Sequence, residues 1–212
     1  MDVGILDCGS GNLRSLAKAV ERAGESHENL RVHIIRQPND IADMERLLLP
    51  GVGAFGYTME GLKNLREGLE DAVLAGKKPF LGICVGMQIL MEWGYEHGRS
   101  PGLGWLQGST RPLEHQKGLR VPHMGWNELR VPTNAPHPFF KNVNDNLTRH
   151  VYFAHSYHVC LEDESNLLAT SEYGGTLTAV AGRNNILGVQ FHPEKSQRVG
   201  LSLLRNFLDW QP

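Results

Sequence analysis

The sequence is poor in cysteine: its 212 residues contain only three, Cys8, Cys84 and Cys160. The number is odd and the three lie far apart in the chain, so they do not resemble the paired framework of a small secreted protein. We therefore expect free thiols in a reducing compartment and predict a cytoplasmic location.

Long hydrophobic runs and an excess of one charge are also missing. No apolar stretch approaches the roughly 18 residues of a membrane-spanning helix, and residues 1–9 lack the basic and apolar segments of a signal peptide. The formal net charge is −2, without a basic cluster. These features argue against a membrane, a secretory leader and nucleic acid as a partner. The apolar content of 41% is that of an ordinary globular protein.

Short apolar runs alternate with helical periodicity through the first hundred residues. The runs at 3–6, 32–35, 47–49 and 80–84 predict strands. Apolar residues from Leu13 to Val20 predict a helix that stops at Gly24, and those from Met59 to Val73 predict one helix that ends at Gly76. A further helix is expected to start at Met87. Strands that alternate with helices imply βαβ units and a mostly parallel sheet.

The pattern changes after about residue 100. Residues 151–159 predict one strand, and the runs at 176–181 and 186–191 predict a hairpin with the four-residue turn Gly182-Arg-Asn-Asn185. Apolar spacing from Val199 to Leu208 predicts a final amphipathic helix. Because no repeat or linker interrupts the sequence, we expect one α/β domain over residues 1–212, with antiparallel strands in its second half.

One thiol lies between two glycines. The segment Gly82-Ile-Cys-Val-Gly86 follows a predicted strand and precedes a predicted helix, which is where a nucleophile elbow of the form Gly-x-nucleophile-x-Gly belongs. A helix N-terminus favours a thiolate, and the next backbone amide can face a developing oxyanion. The alternative is a buried structural cysteine at a tight turn. Cys8 and Cys160 lack this setting, and packing is the better interpretation of both.

Two other segments end predicted strands and supply the groups that a thiol nucleophile needs. In His192-Pro-Glu194 the proline restricts the backbone on both sides, and the glutamate can bond the ring and set its tautomer. The glycines of Leu49-Pro-Gly-Val-Gly-Ala-Phe55 can free backbone N–H groups for an anion. Read alone, these segments can equally be a strand-end turn and an ordinary strand–helix turn.

Together, Pro50-Gly-Val-Gly53, Gly82-Ile-Cys-Val-Gly-Met-Gln88 and Phe191-His-Pro-Glu194 resemble the class I, triad-type glutamine amidotransferases. Val121-Pro-His-Met-Gly-Trp-Asn127 and Tyr152-Phe-Ala-His-Ser-Tyr157 are similar to the glutaminase subunits of imidazole glycerol phosphate synthase, which act in histidine biosynthesis. The resemblance runs from residue 3 to about 208. It implies a three-layer α/β fold in which helices flank a mostly parallel central sheet.

The same resemblance implies the chemistry of each residue. Cys84 would attack the side-chain amide of glutamine, His192 would move the proton, and Glu194 would orient His192. The oxyanion would be held by the backbone of Gly53 and Val85. Contacts to the substrate would come from four residues: Gly51, Gln88, Ser156 and Tyr157. No cofactor and no metal are implied.

The implied partner is a (β/α)₈-barrel cyclase subunit of the synthase, forming a heterodimer in which ammonia passes through an internal channel. The interface would include Asn12, Pro122, Met124, Trp126 and Lys195. Trp126 is a candidate anchor because aromatic residues often dominate interface energy, and core packing is the alternative for it.

Several other functions are compatible with parts of the sequence. Another triad glutaminase subunit, of the anthranilate or carbamoyl phosphate type, and a stand-alone γ-glutamyl cysteine hydrolase both retain the triad. An interaction-only subunit would not use it. A nucleotide site at Gly9-Ser-Gly-Asn12 lacks the third glycine of its motif because position 14 is Arg14. A metal site at His155 and His158 is disfavoured because residues three apart on one regular strand face opposite sides.

Overall fold

Strands make up most of the regular structure. The computed structural model describes residues 1–9, 11–132, 137–143 and 149–212. In chain order the strands are β1 (Asp2–Leu6), β2 (Arg31–Ile35), β3 (Arg46–Gly51), β4 (Phe80–Cys84), β5 (Met91–Gly94), β6 (Ser100–Pro101), β7 (Leu106–Pro112), β8 (His123–Glu128), β9 (His150–His155), β10 (Tyr157–Leu161), β11 (Leu167–Glu172), β12 (Thr176–Arg183) and β13 (Ile186–Val189).

Seven of these strands form the main sheet, in the order β11-β12-β13-β4-β3-β1-β2. The five strands from β13 to β2 are parallel, whereas β12 and β11 add antiparallel pairs at one edge. β4 is central and buried along its whole length. The expected mostly parallel sheet with antiparallel strands from the second half of the chain is confirmed.

Two smaller sheets stand beside the main one. Four strands pair in the order β10-β7-β5-β6, and β8 pairs with β9 in a two-stranded ribbon. The ribbon matches His123 to His155 and Trp126 to Tyr152. It therefore brings two of the sequence segments noted above side by side.

The helices are α1 (Leu13–Ala23), α2 (Phe55–Leu62), α3 (Arg66–Glu70), α4 (Val85–Gln88) and α5 (Gln197–Asp209), with a π-helical turn at Asp71–Ala75. α1 begins at Asn12, whose side chain accepts a hydrogen bond from the Ser15 N–H, and ends at Gly24 as expected. α1 and α5 pack together through apolar faces that join one continuous buried cluster from Val3 to Trp210. Within the described residues, no helix is both long and apolar enough to cross a bilayer.

Four predicted elements have other bounds in the structure than the sequence predicts. The helix expected to run to Gly76 is interrupted between Leu62 and Arg66, and its last turn, Asp71–Ala75, is π-helical and ends at Gly76 as expected. The hairpin turn comprises only the two residues Asn184-Asn185, because Arg183 pairs with Ile186. Asn184 takes the positive φ of 54° that such a turn requires.

The other two differences shape the site. The helix after Cys84 is a single turn, and the chain re-enters a strand at Met91. The strand expected over 151–159 breaks at Ser156, so β9 and β10 belong to different sheets. No Pro or Gly marks the end of α4 or the interruption at Ser156 in the sequence. Pairing with distant strands, and not local propensity, decides where both elements end.

Glycine is required around Cys84 by close backbone approach. A Cβ built on Gly86 would lie 1.9 Å from the Leu49 carbonyl oxygen, and one on Gly82 would lie 2.4 Å from the Gly86 carbonyl oxygen. Neither neighbour is a flexible side-chain end. At both positions that flank the thiol, glycine is therefore the residue type that lets α4 turn back against β3 and β4.

We predict that Gly86→Ala lowers the free energy of unfolding by about 3 kcal/mol or more, because backbone must move to admit the methyl group. Chemical denaturation measures this. Gly56→Ala is the matched control, since a Cβ on Gly56 in α2 would meet only the Ser100 hydroxyl oxygen, at an ordinary contact distance of 3.9 Å, and alanine favours a helix. Equal stabilities of the two variants would contradict the packing described here.

Candidate active site

The thiol of Cys84 lies at the turn that ends β4. Cys84 has φ 54° and ψ −109°, a backbone conformation that residues other than glycine rarely adopt. Its side chain is buried. Because the surrounding strands hold this strained backbone, the sulfur is directed out of the sheet toward the loops at the carboxyl ends of the strands.

His192 lies within interaction range of Cys84, whose side chain contributes to raising the pKa of the imidazole. The backbone N–H of His192 donates to the Tyr152 carbonyl at 2.9 Å, and the Ser196 hydroxyl donates to the His192 carbonyl at 2.6 Å. Nδ1 lies 2.9 Å from Glu194 Oε1, and both side chains are buried. A carboxylate can only accept, so Nδ1 carries a proton and Nε2 is the nitrogen available to the thiol.

The charges of this trio are coupled. Burial disfavours the imidazolium, but hydrogen bonds to Cys84 and Glu194 and the charges of both outweigh burial and raise the pKa of His192 to about 9. The imidazole therefore accepts a proton from a nearby thiol readily. A buried cysteine, a basic histidine and an orienting carboxylate form the arrangement expected of an activated nucleophile.

Gln190 also contacts the nucleophile, and sequence reasoning missed it. Its Nε2 lies 3.7 Å from Cys84 Sγ, and the side chain is fully buried. β13 pairs with β4 in a register that aligns Val189 with Ile83, so the next residue along lies beside Cys84. The signal was present, because residues two apart on an extended chain share a face and Gln190 precedes His192 by two.

A cavity of about 320 Å³ opens over the thiol. Its walls include the predicted residues Gly53, Val85, Gln88, Ser156, Tyr157, Pro122 and Met124. Gly51 lies lower, in β3, where a Cβ would meet Val85 at 2.8 Å. A more open depression of about 800 Å³ lies along β2, away from these groups.

Two cavity residues were not anticipated. Glu96 brings a carboxylate to the wall, where its Oε2 also accepts a hydrogen bond of 2.6 Å from the Phe55 N–H at the start of α2. His155 lies on the opposite strand ribbon, with its Nδ1 2.8 Å from the Tyr157 carbonyl oxygen. His155 belongs to the segment Tyr152-Phe-Ala-His-Ser-Tyr157, but no local pattern assigns it or Glu96, which follows β5, to the cavity; both reach it only in the folded chain.

The predicted interface residues are exposed. Asn12 caps α1, while Trp126 meets the Tyr152 ring edge-on with ring centroids 5.9 Å apart. Lys195 places its Nζ 5.9 Å from the centre of the same ring. Trp126 is half-exposed, so core packing does not describe it.

The two histidines considered for a metal site do not lie on the one strand that the sequence predicts. His155 and His158 lie on separate strands, so the assumption of one regular strand was wrong; Nε2 of His155 is instead 2.9 Å from Nδ1 of His123. Among the described residues, no three His, Cys, Asp or Glu side chains converge as metal ligands. In the proposed nucleotide segment, Ser10 lies outside the described residues.

The other two cysteines are protected by burial. Burial raises the pKa of Cys8 to about 12, with a further contribution from the charge of Asp7. Burial also raises the pKa of Cys160. Both thiols stay protonated at neutral pH, in agreement with a packing role.

The chain is similar to known proteins along almost its whole length. A family model described as glutamine amidotransferase class-I matches residues 4–210. The imidazole glycerol phosphate synthase subunit HisH of Zymomonas mobilis is 48% identical over 214 residues, covering 99% of this chain and 96% of that protein. The protein of the same name from Rhodospirillum rubrum is 45% identical over 217 residues, with both chains fully covered.

Solved structures show the same fold. A crystal structure of a glutamine amidotransferase aligns with a TM-score of 0.71 and 20% identity, over 98% of this chain and 97% of that one. A glutamine amidotransferase from Thermotoga maritima aligns with a TM-score of 0.68 and 18% identity, over 99% of this chain and 96% of that one.

The buried histidine pair generates a pH prediction. Burial lowers the pKa of His123 to about 4 and that of His155 to about 3, below the ordinary value of 6.5. As the pH falls from 6.5 toward 4, the unfolded chain binds protons that the folded chain does not, so stability falls. Each such histidine adds up to about 1.4 kcal/mol per pH unit to the fall in the free energy of unfolding.

Urea denaturation between pH 7 and 4.5 measures the effect. The variant His123→Gln should show a shallower loss of stability than the parent. The exposed His115→Gln is the control and should leave the slope unchanged. An unchanged slope in the His123 variant would refute the assignment.

Proposed function

This chain belongs to the class-I glutamine amidotransferase family, and we propose that it is the glutaminase subunit of an imidazole glycerol phosphate synthase. The observation that carries the proposal is the buried trio of Cys84, His192 and Glu194 at the base of a cavity, in a chain 48% identical to a HisH subunit over nearly its whole length. Three free cysteines fit a cytoplasmic enzyme. One domain over residues 1–212 is part of the proposal.

The reaction follows from the groups present. Cys84 Sγ attacks the side-chain amide carbon of glutamine while the thiol proton passes to His192 Nε2. That proton then goes to the leaving nitrogen, which departs as ammonia and leaves a thioester on Cys84. Water, deprotonated by His192, breaks the thioester and releases glutamate. Glu194 holds the ring in the required tautomer throughout.

The tetrahedral oxyanion is assigned to the backbone N–H groups of Val85 and Gly53. Val85 follows the nucleophile directly, as in other elbows. Gly53 has φ 108° and an open space where a Cβ would be, so its peptide is free to rotate. We propose that rotation of the Gly51-Val52-Gly53 segment switches the site on. One such donor is worth about 2.7–4 kcal/mol of activation free energy.

Glutamine fits the cavity by charge as well as by size. Glu96 is the single carboxylate among the described residues of its wall, and it suits the α-ammonium group of the substrate. Gln88 and the Ser156-Tyr157 segment line the same cavity and are assigned to the amino-acid end. The volume of about 320 Å³ is at the lower end for small-molecule sites, as expected for one amino acid.

The partner surface is assigned to the mouth of the cavity. Val52, Met124 and Trp126 are apolar and 42%, 65% and 47% exposed, and the first two also line the cavity. We call these three residues the mouth patch. A (β/α)₈-barrel cyclase seated on it would cover the opening and receive ammonia before it reaches water. Asn12, Pro122 and Lys195 complete the proposed interface of the heterodimer.

Two rivals retain the triad but differ in partner. A glutaminase subunit of another synthase would be activated by a different partner protein. A stand-alone hydrolase would need none and would leave the mouth patch without a role. The full-length similarity to HisH subunits favours the first assignment over both.

We predict that the chain alone releases glutamate slowly, and that adding the cyclase subunit with its nucleotide substrate raises the rate at least about tenfold. Glutamate release is followed by a coupled assay. Cys84→Ala should abolish turnover in both conditions, because the thioester cannot form. Equal rates with and without the cyclase would agree with the assignment of the triad but contradict the proposed partner.

We also predict that Trp126→Ala weakens binding to the cyclase by about tenfold or more, because large aromatic side chains at a patch centre often carry the binding free energy. Titration calorimetry measures the affinity. Leu74→Ala removes an apolar side chain of similar exposure, 41%, in the π-helical turn before β4, and should change affinity less than about twofold. Equal effects of the two substitutions would contradict the assignment of the mouth patch.

A further inference from the structure

A second side chain, besides His192, is directed at the sulfur of Cys84. Gln190 Nε2 lies 3.7 Å from Sγ, within reach for a hydrogen bond to sulfur. The Oε1 of the same amide accepts a hydrogen bond of 3.2 Å from Gln88 Nε2. Gln88 Nε2 in turn donates to the Tyr157 carbonyl oxygen at 2.8 Å.

The orientation of both amides is set by the Tyr157 carbonyl. A backbone carbonyl can only accept, so the atom of Gln88 that faces it must be the nitrogen. That nitrogen then needs an acceptor for its second hydrogen, and the oxygen of Gln190 provides one. Gln190 is thereby left with its own N–H group toward the sulfur. The reversed amide would place an oxygen against Sγ and two nitrogens against each other.

Apart from the imidazolium of His192, the groups around the sulfur offer little stabilisation to a negative charge. α4 is one turn long, so its dipole contributes little at Cys84. The side chain is buried, which disfavours a charge unless hydrogen bonds satisfy it. The Ala154 carbonyl oxygen, 3.9 Å from Sγ, serves only the protonated thiol. Gln190 Nε2 is the donor to Sγ for which the structure gives a hydrogen bond.

We propose that Gln190 is a further catalytic residue of this site: it donates a hydrogen bond to the Cys84 thiolate, in an orientation imposed by Gln88 and the Tyr157 carbonyl. The inference rests on the proposed function for its place in the reaction. When the S–H bond breaks and the proton moves to His192 Nε2, Gln190 transfers no atom. Its N–H stabilises the negative charge left on the sulfur. It does so a second time when hydrolysis of the thioester breaks the C–S bond and the sulfur leaves as a thiolate.

A simpler role would be to hold Gln88 alone, and two variants separate the roles. Gln190→Glu keeps an oxygen acceptor for Gln88 but has no N–H to give and adds a negative charge beside the sulfur. Gln190→Met is close in size and removes both bonds. Thiol reactivity separates the roles: a residue that only holds Gln88 leaves the Cys84 profile unchanged in Gln190→Met, whereas loss of a donor to the thiolate changes it.

The first readout is the reactivity of the thiol. The rate of Cys84 modification by iodoacetamide is measured from pH 5 to 10 in the full chain, with peptide mass spectrometry to separate Cys84 from the other cysteines. We expect both variants to react about tenfold more slowly at pH 7, with the midpoint of the pH–rate profile about one unit higher. A parent-like profile for Gln190→Met overturns the proposal, because the charge added in Gln190→Glu slows the reaction by itself.

The control is Asn206→Asp. This buried amide donates to the Phe139 and Lys141 carbonyls, so the substitution also removes two buried N–H bonds, at a place that does not contact the triad. It should lower the melting temperature and leave the alkylation profile unchanged. If Gln190→Glu does not fold, the Gln190→Met profile still decides.

The second readout is glutaminase activity in the complex with the cyclase. Both variants should lower kcat about tenfold and change KM less than about threefold, because Gln190 contacts the nucleophile and does not line the cavity. Alkylation needs neither glutamine nor cyclase. If the parent fails to hydrolyse glutamine while the alkylation profiles still shift, the proposed function fails and the role of Gln190 stands.

Discussion

The active site depends on the sharp turn of the backbone at Cys84. The chain leaves β4 with φ 54° at a residue that carries a side chain, and it turns so closely over β3 that position 86 has no space for a methyl group. Such a conformation persists only where the surrounding structure holds it. Here the central strands do so, because β4 is paired on both sides and buried throughout. The strained turn holds the thiol at one fixed point at the base of the cavity.

Parallel pairing then brings the remaining groups to that point. β13 runs beside β4, so the residues that follow it arrive next to the thiol: first Gln190, then His192, then Glu194. On the other side, β3 aligns Gly51 with Cys84 and delivers the glycine loop. Carboxyl ends of neighbouring parallel strands meet at one edge, which is why α/β folds build their sites there. Burial strengthens each hydrogen bond among these groups.

The β8–β9 ribbon connects this centre to the surface. Its outer face carries Met124 and Trp126, while His123 on the same strand is buried against His155 at the cavity wall. The His155 Nδ1 and Gln88 both meet the Tyr157 carbonyl oxygen. A protein that docks on the ribbon therefore contacts an element that is linked to the side-chain amides of Gln88 and Gln190 by hydrogen bonds through the Tyr157 carbonyl. That continuity provides a physical basis for coupling between a bound partner and the site.

The sequence by itself determined the alternation of strands and helices, the elbow around Cys84 and the His192-Pro-Glu194 segment, because each depends on local chemistry: apolar period, glycine at a close approach, proline beside a histidine. It did not determine the single-turn α4 or the break at Ser156, since pairing with distant strands overrides local preference there. Gln190, Glu96 and His155 were also decided by the tertiary structure. The spacing of two residues places Gln190 on the same face as His192, but all three residues meet the thiol or its cavity only when segments far apart in sequence align.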